Sequence, residues 1–147
     1  MAESLNRQRV LNLLDMVYAG DIEGALARCT EDIDYLAPAP IEILPHMGHH
    51  RGRDEVRAQW QTVHDRHSQM RYEVRAIVAE GDAVAVQLRV FLTKRSNGRI
   101  MQFDTAMFFS FRNGRVSRIN QIIDTFDLVQ QVLERDLSAL LMGSPSL

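Results

Sequence analysis

Asp124 stands near the end of an apolar-rich stretch, Arg115-Val116-Ser117-Arg118-Ile119-Asn120-Gln121-Ile122-Ile123-Asp124-Thr125-Phe126, an uncommon setting for a carboxylate. Alternate side chains of a strand share a face, so Arg118, Asn120, Ile122, Asp124 and Phe126 point one way. A solvated face has little use for Ile122 and Phe126, and a packing face excludes a lone Asp124. The mixture describes the wall of a semi-polar cavity. In a partly dry cavity burial raises the proton affinity of a carboxylate and a neighbouring guanidinium lowers it, and Arg89 is the cation expected beside Asp124. The pair supports two readings. In one, Asp124 is a general base that Arg89 orients; in the other, the two form a buried ion pair that fixes sheet register.

Three of the five histidines, His46, His49 and His50, fall in the stretch between Pro38 and Gly52. They have neither a fixed carboxylate nor helical i, i+4 spacing, so a metal is not expected. They either face solvent or send one ring, His46 or His49, into a ligand pocket. The single cysteine, Cys29, excludes an internal disulfide and reads as a small core hydrophobe. No Gly-rich phosphate loop, Gly-x-Ser-x-Gly elbow, His-Glu-x-x-His or Cys-x-x-Cys occurs, which leaves nucleotide, serine-hydrolase, zinc-protease and thiol-redox chemistry without a motif.

The elements that must position these groups follow from periodicity. At 147 residues the chain has the length of one domain, 1–147, with one core. The 17 basic residues are scattered among 19 acidic ones, so no basic face invites nucleic acid. No apolar run approaches the ~18 residues of a membrane span and no signal peptide opens the chain, so a cytoplasmic location is expected. Residues 4–19 repeat apolar groups at helical spacing. Asp21 caps a second short helix carrying Ile22, Ala25, Leu26 and Cys29, and Val56, Trp60, Val63 and His67 stripe a third, with Trp60 anchored in the core or on the pocket wall. The loop between Ala37 and Arg51 is apolar enough to act as a lid. From Gln69 the period falls to two, with turns at Glu80-Gly81-Asp82, Ser96-Asn97-Gly98 and Asn113-Gly114, and a C-terminal helix follows, capped at Asp127. Helices followed by a long antiparallel meander make an α+β domain.

Both faces of the meander carry apolar groups. The aliphatic face of Val84, Val86, Leu88, Val90 and Leu92, with Ala106, Phe108, Ile119 and Ile123 and with Gln102, Asp104, Gln121 and Thr125 as its polar contacts, is assigned to a second copy of the chain, giving a homodimer. The opposite face, with Gln87, Arg89, Phe91, Phe103, Thr105, Met107, Asn120, Ile122 and Asp124, is assigned to the pocket. Its composition suits a small hydrophobic or aromatic molecule.

In this order and spacing, Tyr18-Ala19-Gly20-Asp21, Gly52-Arg53-Asp54, Asn113-Gly114-Arg115-Val116 and Asp124-Thr125-Phe126-Asp127 resemble the nuclear-transport-factor-2-like superfamily, in its SnoaL-like and ketosteroid-isomerase-like branch. The resemblance implies a cone-shaped fold with a curved antiparallel sheet wrapped around the N-terminal helices, often dimeric, and adds Tyr18 to the ligand wall. The fold hosts isomerases, cyclases, dehydratases, epoxide hydrolases and carriers. The steroid-isomerase residues are replaced by Leu13, Ala37 and Met107. Arg89 and Asp124 match two of the epoxide-hydrolase residues, with Phe91 in place of the third. The SnoaL cyclases, which use one pocket aspartate with no metal or cofactor, resemble the chain more closely. They imply cofactor-independent acid/base chemistry at Asp124, and the alternative is a non-catalytic carrier.

Overall fold

The computed structural model describes residues 2–143. Helix α1 (Ala2–Ala19) buries Asn6, Val10, Leu13 and Leu14 and ends where Gly20 turns to φ +86°. Asp21 then caps α2 (Ile22–Ala27), its carboxylate accepting from the Gly24 amide at 3.0 Å. Cys29, expected on that helix, instead begins β1 (Cys29–Ala37) because Arg28 closes the helix first. Its thiol is fully buried and burial pushes it up to about 12, so the core reading of this residue stands. After a loop come β2 (Gly48–Arg51), α3 (Gly52–Arg66), and the long strands β3 (His67–Glu80), β4 (Ala83–Lys94), β5 (Ile100–Arg112) and β6 (Arg115–Ile123).

The six strands form one curved, unclosed sheet in the order β2-β1-β6-β5-β4-β3. Every pairing is antiparallel except β1 with β6, which are parallel and are separated in the chain by β2, α3 and the strands β3 to β5. Register shifts at Val74/Ala76 and Ser110/Phe111 insert extra residues that bend the strands. The α+β cone expected from the sequence is therefore the architecture of the chain.

Register corrects the assignment of faces. Val90 pairs with Phe103 and Leu88 with Thr105; in turn Thr105 pairs with Ile123, Met107 with Gln121 and Phe109 with Ile119. Directly paired residues share a face, so the aliphatic row of β4 lies with Phe103, Met107, Ile119 and Gln121 on the inner face. Leu88 is 0% exposed against the helices. Gln87, Arg89, Phe91, Asn120 and Ile122 lie on the outer face. The aliphatic row is thus core rather than dimer surface, because a curved sheet uses its concave side for both packing and cavity.

The loop at 38–47 is held by a turn in which the Ile43 and Leu44 amides donate to the Pro40 carbonyl at 3.0 and 2.9 Å, and it sinks Leu44 and Met47 into the core. It is a packed wall, in place of the expected lid. The C-terminal helix divides in two. Helix α4 (Thr125–Leu133) ends at Glu134, which takes a left-handed φ of 56°, and Asp136 caps α5 (Leu137–Met142). Among the described residues no helix is long and apolar enough to cross a membrane.

Candidate functional site

A cavity of about 740 Å³ lies between the concave face of the sheet and the helices. Helix α1 contributes Leu13, Leu14, Val17 and Tyr18, α3 contributes Gln59, Trp60 and Val63, and the loop contributes Leu44, His46 and Met47. The sheet supplies Val90, Leu92, Phe103, Met107, Phe109 and Gln121, and α4 closes one side with Leu128 and Val132. The volume suits a ligand of drug-like size, and the walls are apolar enough to drive its uptake.

The polar groups inside are few and ordered. Buried Tyr35 donates its hydroxyl proton to Gln121 Oε1 at 2.6 Å, Gln121 Nε2 donates to Thr105 Oγ1 at 3.3 Å, and that hydroxyl donates to the Ile122 carbonyl at 3.1 Å. This chain fixes the orientation of the amide and leaves lone pairs of the Tyr35 oxygen for another donor. Burial pushes the Tyr35 phenol well above its ordinary value, so it stays protonated. Tyr18 stacks edge-on to Tyr72 at 4.8 Å, and its phenol is likewise pushed up by burial and by the Tyr72 hydroxyl.

Two buried polar atoms on the cavity wall lack partners, His46 Nδ1 and Gln59 Oε1. Burial first, and then the charge of Arg66, push His46 down to about 4, so its ring is neutral at pH 7. His64 Nε2 donates to the Val17 carbonyl at 2.5 Å and His67 Nδ1 to the Val63 carbonyl at 2.6 Å, since a carbonyl can only accept. Both rings line the cavity, each oriented by that bond.

Trp60, Phe103, Met107, Tyr18 and His46, expected at the ligand, all line the cavity, and Thr105 supports Gln121 behind it. Gln87, Phe91, Asn120 and Ile122 do not, because they occupy the outer face. His49 is there too, bonded to the Asp34 carboxylate. Arg89 and Asp124 are not brought together. Arg89 Nε donates to Asp104 Oδ1 at 3.0 Å on the outer face, directly across the β4–β5 ladder. Asp124 is exposed and caps α4, accepting from the Asp127 amide at 3.1 Å. The cap thus lies three residues before the expected one at Asp127. Tyr35 and Gln59 were not read as site residues from the sequence, and Gln121, expected as a polar contact between two copies of the chain, faces the cavity instead. Gln59 is legible in hindsight as a polar residue beside Trp60 on the buried stripe of α3. No local signal marks the other two.

Comparison with known proteins places this architecture. A family model described as a SnoaL-like domain matches residues 10–119. The chain belongs to the SnoaL-like family. A nuclear-transport-factor-2-like protein of unknown function from Burkholderia pseudomallei superposes with a TM-score of 0.79 at 23% identity, over 87% of this chain and 97% of that one. A candidate isomerase from Rhodopseudomonas palustris is 27% identical with a TM-score of 0.75, over 84% of this chain and 91% of that one. An epoxide hydrolase of limonene-epoxide-hydrolase type from Mycobacterium tuberculosis is 19% identical with a TM-score of 0.74, over 98% of this chain and 100% of that one. No curated protein matches the chain. The SnoaL-like assignment agrees with the resemblance carried by the sequence motifs. The neighbours attach different activities to one fold, so the chemistry must be argued from the cavity.

Proposed function

We propose that the protein binds a small, largely apolar molecule bearing a hydroxyl or carbonyl oxygen in the cone cavity, and that His46 moves a proton to or from it. The observation that carries this reading is the apolar cavity of about 740 Å³ with His46 Nδ1 and Gln59 Oε1 unpartnered on its wall. An unsatisfied buried polar atom costs roughly 1–3 kcal/mol, a cost that a ligand offering the complementary group removes. The neutral imidazole keeps a lone pair free to accept a proton from the ligand, and a negative charge developing on the ligand beside it would offset the burial and the Arg66 charge that hold the ring neutral. Phe103, Met107 and Trp60 keep bulk water from the site, so the ring acts in a low dielectric, where positioned groups have their largest effect.

A second reading, a carrier with no chemistry, is favoured by one specific observation. Among the described residues the only carboxylates on the cavity wall, Asp65 and Glu134, are exposed at the mouth, and Glu134 is tied to Lys94 at 3.0 Å and Arg99 at 3.4 Å. One probe separates the readings. 2-Tetralone is a small apolar ketone with exchangeable protons beside its carbonyl, and NMR in deuterated buffer follows both its binding and its deuterium uptake. The acid/base reading expects exchange faster than in buffer alone and slower by ~10²- to 10⁴-fold in His46→Gln. Saturable binding with no acceleration leaves the carrier reading in its place.

A further inference from the structure

The mouth of the cavity, where α3 runs into β3, carries charge that the interior lacks. Arg66, the last residue of α3, and Arg95, just after β4, line it together with Lys94. Lys94 is already committed, donating to the Gln131 carbonyl at 2.6 Å and to Glu134 at 3.0 Å. The other carboxylate at the mouth, Asp65, accepts from Gln61 at 2.8 Å along the helix. Arg66 and Arg95 form no ion pair among the described residues. Arg95 donates to the His64 carbonyl at 3.4 Å, which leaves Arg66 the freer of the two. The charge of Arg66 reaches inward: after burial it is the strongest influence holding His46 neutral, and it acts on His67 in the same sense. Deeper in the cavity Gln59 is 5% exposed, and its Oε1 acceptor has no donor.

We propose that Arg66 anchors an acidic group of the ligand, so that the molecule taken up is an apolar carboxylic acid whose hydroxyl is received at the far end by Gln59 Oε1. This rests on the reading of the cavity as a binding site and names the class of molecule it takes. The guanidinium fork matches a carboxylate in two parallel hydrogen bonds, stronger than neutral ones. A single negative charge suits one uncommitted arginine at the rim of an apolar cavity, whereas a doubly charged phosphate would lose more hydration than that one partner returns. The carboxylate stays at the wet mouth, the apolar body covers the aliphatic row of β4, and the hydroxyl supplies the donor that Gln59 lacks.

The test uses 6-hydroxy-2-naphthoate and 6-hydroxy-2-naphthamide, which share shape and hydroxyl and differ in charge. Each is titrated by calorimetry into the full-length protein near neutral pH and at low salt. The acid should bind about 10-fold or more tightly than the amide, as expected of a charge-assisted pair. Arg66→Gln should abolish that preference by weakening the acid alone, and Arg66→Lys should restore part of it. Arg66 is exposed, so both variants should melt with the wild type. If acid and amide bind equally, or if Arg66→Gln weakens both alike, the anchor is wrong and the cavity reading survives. If neither molecule binds the wild type, the cavity reading falls and takes the anchor with it.

Discussion

The imidazole of His46 is neutral in the fold because burial, the Arg66 guanidinium and the neighbouring His67 and His50 all oppose a second proton, and this ties stability to pH. Its value of about 4 lies below the ordinary 6.5, so between those limits the unfolded chain binds the extra proton and the folded one does not. Stability contributed by this group is therefore complete above about pH 6.5 and is lost as pH falls toward about 4. His67 is displaced in the same direction. Glu134, Asp104 and Asp32 are all lowered by hydrogen bonds from side chains, and their contribution disappears only at more acid pH. Urea midpoints should consequently fall between pH 6.5 and 4 in the wild type and fall less in His46→Asn. Equal slopes would show that the ring is solvated. Asp124 poses a different question at the same scale. Asparagine caps a helix about as well as aspartate, so Asp124→Asn should leave stability, ligand affinity and any turnover nearly unchanged, while Asp124→Ala should cost about 1 kcal/mol in urea unfolding. A collapse of turnover in Asp124→Asn at unchanged stability would make that carboxylate the base.

Helix α4 is fastened over the cavity by polar side chains as well as by the buried Leu128 and Val129. Gln131 pairs with the backbone of Gln102 in both directions, accepting from its amide at 2.9 Å and donating to its carbonyl at 2.8 Å, as a further strand would. Lys94 reaches from β4 to the free carbonyls of Gln131 and Val132 at the C-terminal end of α4, where a cation also suits the helix dipole. Gln130 Oε1 accepts from the Leu137 amide at 2.7 Å and binds α5 to the same unit. Each such bond contributes roughly 1 kcal/mol, so Gln131→Ala and Lys94→Met should loosen α4 and α5 together. Amide exchange should show this as faster exchange in residues 125–142 with protection in β4 and β5 unchanged. Equal loss of protection across the sheet would mean that α4 is part of the global folding unit instead.

For the whole molecule the two faces of the sheet make opposite demands. Leu88 is fully buried against the helices, so Leu88→Arg should prevent folding. On the outer face Phe108 and Ile122 are 48% and 47% exposed, close to Leu36 at 37%, and Asn120, paired with both Leu36 and Phe108, has a buried Oδ1 without a partner. An apolar patch with an orphaned acceptor at its centre is suited to self-association, so we expect a homodimer through this face. Sedimentation at micromolar concentration should give twice the monomer mass, and Phe108→Arg should halve it with the fold intact. A wild-type monomer would end this assignment.

Period-two and period-3.6 patterns and the turn residues of this chain were enough to place its first three helices to within a residue or two and its four-strand meander, because those signals are local, while the family was carried by the resemblance of its motifs. Asn113, with φ 53°, and Gly114, with φ 78°, make the tight turn their identities demand. The identity of the wall was only partly legible. Trp60, Phe103, Met107, Tyr18 and His46 reach the cavity, whereas Gln87, Arg89, Phe91, Asn120 and Ile122 face away from it. Alternation says which residues of one strand share a face, but only hydrogen-bond register says which face of the next strand joins them. That register set Val90 beside Phe103 and Arg89 beside Asp104. The same limit hid the Tyr35–Gln121 bond, which spans 86 residues and exists because β1 and β6 pair in parallel. Asp124 shows the complementary case. Read from the chain as a strand residue sharing a face with Ile122 and Phe126, it lies one residue past the end of β6, and the helix that begins at Thr125 has free amides that claim the carboxylate before the cavity can.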